Sequence, residues 1–251
     1  MGIIGKIVGG TIGFALGGPL GAIAGAVFGH AFDHGNIALE ESNHQYLSGV
    51  EQSQLAFFVS TFSMLAKLAK ADGQVNEKEI GTIRSFADHD LGLSDGSREV
   101  AFNIFHAALA SPASFEDFAV HFYNQFQNNN QMLEMMIDIL LRVSAADGAV
   151  TVLEEALILS AVKIFHLNSD RYIQLKSKYM DSFDQAYHIL GCRRHDSDEH
   201  IKKNYRQLVQ TYHPDKIASK GLPEEFTRLA QDKFREIQSA YESIKKERGF
   251  K

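Results

Sequence analysis

SDEHIKKNYRQLVQTYHPDK, residues 197–216, contains both a helix and the signal that ends it. Ile201, Tyr205, Leu208 and Tyr212 recur at i, i+4, i+7 and i+11, which puts them on one stripe of an α-helix. Ser197 stands where a side-chain oxygen caps the first turn. Lys202, Lys203 and Arg206 fall largely off the apolar stripe and leave a cationic, exposed face. Pro214 fixes its own φ and pushes the residue before it out of the α region, so the helix is expected to end near Tyr212 or His213. His213 and Asp215 are then held on either side of a rigid turn. Taken alone, His-Pro-Asp is a helix stop and nothing more.

The flanks change that reading. Downstream, PEEFTRLAQDKFREIQSAYESIKK (223–246) carries Phe226, Leu229, Ala230, Phe234, Ile237, Tyr241 and Ile244 as a second apolar stripe. Two antiparallel helices can zip through these stripes, with a short helix near 184–190 packed across them. Tyr205-Arg206-x-Leu208 precedes His213-Pro214-Asp215; Lys216 follows it, and Lys233-Phe234-x-Glu236-Ile237-x-x-Ala240-Tyr241-Glu242 lies further on. This set resembles the J-domain of DnaJ-type co-chaperones. The resemblance implies that His213, Pro214 and Asp215, with Lys202, Lys203, Arg206 and Lys216 as the electrostatic surface, dock on a DnaK-type chaperone. That chaperone's ATP hydrolysis would thereby be triggered, and its nucleotide-exchange factor would complete the cycle. Gln207 and Gln210 stand where many relatives are basic, which weakens the expected docking. No Gly/Phe-rich region, zinc-binding cysteine set or substrate-binding sheet follows within the 251 residues, so client binding by the chain itself is not expected.

Upstream, LAKLAKADGQVNEKE (65–79) and LLRVSAADGAVTVLE (140–154) match at an offset of 75 residues. Leu65 aligns with Leu140, Asp72 with Asp147, Gly73 with Gly148, Val75 with Val150 and Glu79 with Glu154. This is a duplicated helix–turn–helix. Gly73 and Gly148 can supply positive φ in the turn. Asn76 or Thr151 then caps the next helix, and Glu79 or Glu154 completes a capping box. Val75 and Ile80 add a hydrophobic staple in the first copy, which Glu155 breaks in the second. Phe58, Phe62, Leu65 and Leu68, and Met132, Met135, Met136, Ile139 and Leu140, supply the buried faces at helical spacing. The acidic repeats resemble the TerB-like family, whose tellurite-resistance members are suspected of binding divalent cations. Asp72, Glu79, Asp147 and Glu154 are the candidate ligands for a hard cation. Capping and turn formation account for the same acids, and the D-x-D-x-D-G spacing of an EF-hand is missing.

The chain begins with a glycine at every fourth position: Gly5, Gly9, Gly13, Gly17, Gly21, Gly25 and Gly29. Residues 7–29 carry no charge, and a helix of that length covers roughly 35 Å against a hydrocarbon core of about 30 Å. A membrane span is expected, its glycine row an oligomerisation face that allows close backbone approach. A cleaved signal peptide and a soluble glycine-rich arm are the competing readings. Four residues advance about 40° beyond a full turn, so the row winds around a straight helix. Either more than one neighbour meets it, or Pro19 divides it into two segments.

Residues 1–180 carry 11 positive and 19 negative side chains, and the remainder 14 and 12. This acidic balance argues against general nucleic-acid binding. The single cysteine, Cys192, excludes an intramolecular disulfide and fits a reducing compartment. No nucleophile–base pair or glycine-rich phosphate loop points to an enzyme.

The expected fold is all-α. It consists of a single transmembrane helix (1–32), a linker (33–52), a TerB-like helical domain with internal duplication (53–180) and a J-domain helical hairpin (181–251). In that order the parts resemble the membrane-anchored J-domain co-chaperones of Gram-negative bacteria. The resemblance implies an inner-membrane protein that dimerises through its span, with a short periplasmic N-terminus and cytoplasmic domains. It also implies a link to envelope stress or capsule signalling. The charge bias around the span, Lys6 before it and Lys67 the first basic residue after it, favours the opposite orientation.

Overall fold

The computed structural model describes residues 17–33, 48–73, 75–146, 150–179, 185–213, 216 and 222–250, with backbone alone over 28–33. Among these the chain is all-α. In order the elements are α1 (Gly18–Asp33), α2 (Gly49–Ala69), α3 (Glu77–Ser85), a π-helical turn (Phe86–Asp90), α4 (Asp95–Ala110) and α5 (Phe115–Phe126). There follow α6 (Asn130–Ala145), α7 (Val152–Ile164), α8 (Ser169–Ser177), α9 (Gln185–Ile189), α10 (Asp198–Thr211), a 3₁₀ turn (Glu224–Phe226) and α11 (Thr227–Arg248).

The central post is α2. Every side chain from Leu55 to Ala66 is buried on it, a pattern that demands neighbours on all sides. They are α1, α3, α4, α5, α6 and α7. Thr61, buried among apolar groups, returns its hydroxyl to the Phe57 carbonyl at 2.9 Å. The helix begins at Gly49, ahead of residue 53, because Ser48 and Glu51 close a capping box: the Ser48 amide donates to Glu51 Oε2 at 3.0 Å.

Both duplicated units fold as expected in their described parts. Asn76 and Glu79 form the box that starts α3, and Thr151 and Glu154 the one that starts α7. Gly73 has φ +99° and donates its amide to the Lys70 carbonyl, while Asp147 and Gly148 lie outside the described residues. Glu155, which breaks the staple in the second copy, has another task. It accepts from the Tyr172 hydroxyl at 3.1 Å and pairs with Lys176, tying α7 to α8.

The N-terminal segment departs from expectation. Gly17 and Gly18 take positive φ, +58° and +54°, and Pro19 sits in the first turn of α1. The continuous helix expected over 7–29 is therefore interrupted here, as the alternative of a division at Pro19 requires. The 16 residues of α1 fall short of a hydrocarbon core of about 30 Å at about 1.5 Å each. Among the described residues no helix is long and apolar enough to cross a membrane. Instead Leu20, Ile23 and Ala24 are buried against α2, α4 and α5.

The C-terminal segment forms the expected hairpin. Tyr205 of α10 stacks on Tyr241 of α11 with ring centroids 3.9 Å apart and planes at 7°. Ile201, Ile237 and Ile244 are buried. α9 lies across α11, and Arg248 fastens the end of α11 by donating to the Tyr187 hydroxyl at 3.0 Å, the Asp196 carbonyl at 2.7 Å and Asp198 Oδ1 at 3.0 Å. Some stripe residues face the TerB-like body rather than the hairpin, Leu229 beside Met135 and Ile139 among them. Phe226 leaves the hairpin and inserts into the TerB-like core, edge-on to Phe57 at 5.0 Å. A single apolar core therefore runs from α1 into α11.

Candidate functional site

The hairpin has two faces with opposite character. On the outer one, α10 starts at Ser197, whose hydroxyl accepts from the His200 amide at 3.2 Å, and ends at Thr211, with the Tyr212 amide donating to Leu208. Along this face Lys203 and Arg206 are exposed, and Lys202 is half-buried with its ammonium 4.9 Å from the centre of the Phe250 ring. The Arg206 Nε donates to the Lys202 carbonyl at 3.2 Å, which keeps the guanidinium over the helix. His213 is exposed just beyond the helix, its ring edge-on to Phe234 at 5.7 Å. Lys216 is also exposed and donates its amide to the His213 carbonyl at 3.0 Å. Pro214 and Asp215 lie outside the described residues. A row of cations ending in an imidazole can attract an acidic partner and speed encounter with it.

The inner face is buried, and its charges are matched. Asp138 of α6 accepts from Lys178 at 3.1 Å, Lys233 of α11 at 3.2 Å and the Tyr179 hydroxyl at 3.0 Å. The side chains of Asp138, Lys178 and Lys233 keep 10%, 9% and 6% of their exposure, so this pairing is shielded from water. Burial alone would raise the Asp138 carboxyl. The two ammonium groups and the Lys178 and Tyr179 hydrogen bonds outweigh it and hold the acid well below the ordinary carboxylate range. Burial and the Asp138 charge push the Tyr179 hydroxyl well above its ordinary value, so it remains a donor.

Around this cluster Arg171 pairs with Glu134 at 2.7 Å and donates to the Tyr212 hydroxyl, while Gln174 donates to the Ile189 carbonyl at 3.0 Å. At Gly191 the backbone has φ +66°, a conformation that favours glycine, and a Cβ would come within 2.8 Å of the Gln174 amide nitrogen and push that side chain aside. On the far side of the interface Arg228 donates to the His89 carbonyl at 3.2 Å. Sequence reading missed Asp138, Arg171 and Lys178, and took Lys233 only as part of the J-domain signature, not as a partner of Asp138. The one available signal was a lone carboxylate inside the apolar run MMIDILL (135–141).

The candidate cation ligands are partly brought together. Glu79 and Glu154 both line a small, half-open pocket between the repeats, with Leu65, Leu68, Ile83 and Val143. Each carboxylate is engaged in its own capping box, and Asp72 is exposed on the turn. Among the described residues the only three ligating side chains that converge are Cys192, Asp196 and His200, which lie elsewhere. Of the glycine row, Gly5, Gly9 and Gly13 fall outside the described residues. Gly17 is exposed before α1, Gly21 is buried, Gly25 has open space where a Cβ would stand, and Gly29 continues the helix.

Comparison with known proteins divides the chain in the same sequence. Residues 1–44 match the family described as the co-chaperone DjlA transmembrane domain, 58–177 tellurite resistance protein TerB, and 185–249 the DnaJ domain. Among curated relatives, the co-chaperone protein DjlA of Shewanella oneidensis is 29% identical over 220 residues, covering 82% of this chain and 84% of the relative. That of Escherichia coli K12 is 26% identical over 230 residues, with 82% and 84% covered, and that of Photobacterium profundum 27% over 226, with 80% and 81%. No solved structure matches. With a DjlA-type membrane domain, a TerB domain and a DnaJ domain following one another along its length, the chain belongs to the DjlA-type family of membrane-anchored, DnaJ-like co-chaperones.

Proposed function

We propose that this co-chaperone stimulates the ATPase of a cytoplasmic DnaK-type chaperone. His213, Pro214 and Asp215 would deliver the trigger, and Lys202, Lys203, Arg206 and Lys216 would form the docking surface. One observation supports the reading above the others: the cationic face of α10 and His213 point to solvent, while the opposite face of the same hairpin is committed to the TerB-like body. A partner can approach without first separating the domains. The TerB-like domain then serves as a mount that fixes the direction in which the J-domain faces.

The DjlA-type membrane domain at 1–44 supports an inner-membrane anchor. Because a DnaK-type chaperone and its ATP are cytoplasmic, the domains would lie on that side and the short N-terminus in the periplasm. The glycine row supports pairing of two copies through the anchor; on α1 Gly21 is already covered by the chain's own helices, whereas Gly25 is half-buried with open space where a Cβ would stand. An activity reporter fused after Lys251 tests the orientation; a periplasmic signal would refute it.

His213→Gln tests the function. The side chain is exposed, so helical circular dichroism and the unfolding midpoint are expected to be retained. Stimulation of DnaK ATPase turnover should fall to the unstimulated rate. Full stimulation by this variant would eliminate the reading.

A further inference from the structure

Cys192, Asp196 and His200 stand at the junction between α9 and α10, on the J-domain but away from His213. One ligand atom of each, Sγ, a carboxylate oxygen and a ring nitrogen, lies within 4.8 Å of the other two. His200 Nε2 and Asp196 Oδ2 are 3.8 Å apart. We propose that these three residues bind one thiophilic divalent transition-metal ion of the Zn²⁺ class.

The donor set suits such an ion. A thiolate, an imidazole and a carboxylate are a borderline-soft combination of the kind zinc takes, and a three-residue set leaves a fourth tetrahedral position for water. With metal–ligand bonds of about 2.0–2.3 Å, tetrahedral ligands are separated by roughly 3.3–3.8 Å, so the present spread closes with small side-chain adjustments. One thiolate and one carboxylate also cancel the charge of a divalent ion.

Much of the site is already fixed. The Asp196 carboxylate accepts the Arg193 amide at 2.8 Å, and its backbone carbonyl accepts Arg248 at 2.7 Å. Asn204 Nδ2 lies 3.4 Å from both Cys192 Sγ and His200 Nε2 and 3.3 and 3.2 Å from the Leu190 and Gly191 carbonyls, so its two N–H groups are shared among these acceptors. An arriving ion would take over the sulfur and imidazole contacts and leave the amide to the two carbonyls. Such supporting bonds orient ligands before the metal arrives. His200 is half-exposed, which leaves an entry path.

Burial pushes the Cys192 thiol up to about 11, with the Asn204 hydrogen bond and the Arg248 charge pulling the other way. Metal binding therefore replaces the S–H bond with a metal–sulfur bond and releases that proton to solvent. The competing account is plain: Cys192 fills space as a small apolar group, and Asp196 and His200 are an ordinary i, i+4 surface pair. If an ion is bound, it joins residue 192 to the first turn of α10 and steadies the start of that helix.

Titration of the full chain in detergent micelles with Co²⁺, in the presence of a thiol-free reductant, separates the two. Cys192 is the only cysteine, so a sulfur-to-cobalt charge-transfer band in the near ultraviolet reports this site alone. The proposal predicts a band that saturates at one equivalent, is displaced by Zn²⁺ and is abolished in Cys192→Val. His200→Gln should weaken apparent affinity by about tenfold or more, whereas His106→Gln, at an exposed position of α4, should leave it unchanged. Zn²⁺ should also raise the unfolding midpoint of the parent chain and not of Cys192→Val. Absence of the band from the parent chain overturns the proposal, even if cobalt binds at other histidines. A band unchanged by both His200→Gln and Asp196→Asn overturns it as well. None of these readouts depends on stimulation of a DnaK-type chaperone.

Discussion

The two faces of the J-domain hairpin use charge in opposite ways. On α10, Lys203 and Arg206 lie in water, where a charge adds little to stability but extends an attractive field towards a partner. On α11, Lys233 is withdrawn from water and matched to Asp138 of the TerB-like domain, where the pairing fixes one geometry. Exposed charge on this molecule serves encounter, and buried charge serves orientation. A domain that must present one face to a mobile partner gains from having its other face immobilised.

The largest test of this contrast is Asp138→Ala, which takes the carboxylate from the buried Lys233 and leaves Lys178 with Glu236 alone, at 2.9 Å. Loss of one member of a buried charge cluster costs about 3–5 kcal/mol, and urea unfolding of the full chain should register a loss of that order. A loss below about 1 kcal/mol would mean that the apolar contacts of Phe226 and Leu229 hold the interface unaided.

Acid should probe the same cluster more gently. The folded-state Asp138 carboxyl is held below its ordinary value, so its stabilising contribution is fully present above the unfolded carboxyl value of about 4 and is lost as pH falls beneath it. The unfolding midpoint of the parent chain should therefore decline below pH of about 4 more steeply than that of Asp138→Asn. Equal slopes would remove Asp138 as the source.

The smallest stability effect belongs to the outer face. Lys203→Ala and Arg206→Ala should each change stability by no more than about 0.5 kcal/mol. Their effect should appear in the rate of association with an ATP-bound DnaK-type chaperone and diminish as salt is added. Destabilisation comparable to that of Asp138→Ala would erase the distinction between the faces.

Local rules made much of this architecture legible in the sequence. The capping boxes at Asn76 and Thr151, the positive φ of Gly73, the stop after Tyr212 and the zipper of Tyr205 on Tyr241 all follow from residues close in sequence or at fixed helical spacing. The interface between the domains was not legible. Asp138 and Lys233 are 95 positions apart, and periodicity assigns faces to helices without saying which buried face meets which.

Phe226 shows the same limit: its place on the α11 stripe is readable, but its insertion beside Phe57 depends on how the 3₁₀ turn at Glu224–Phe226 leaves the hairpin. At the N-terminus the uncharged run over 7–29 suggested one continuous helix. The break at Gly17 and Gly18 depends on two consecutive positive φ angles, which glycine permits but does not compel. The candidate site was half visible, because the basic face and His213 carry their own signature whereas the mount behind them does not.

Amide hydrogen exchange of the full chain, free and with an ATP-bound DnaK-type chaperone, tests the central claim most directly. In the free chain the amides of α11 around Leu229–Ile237 should already exchange slowly, because that face is held against the TerB-like body. On adding the chaperone, new protection should appear along α10 and at His213, with no change on the inner face of α11. Fast exchange of α11 in the free chain, or chaperone-induced protection confined to its inner face, would contradict the account.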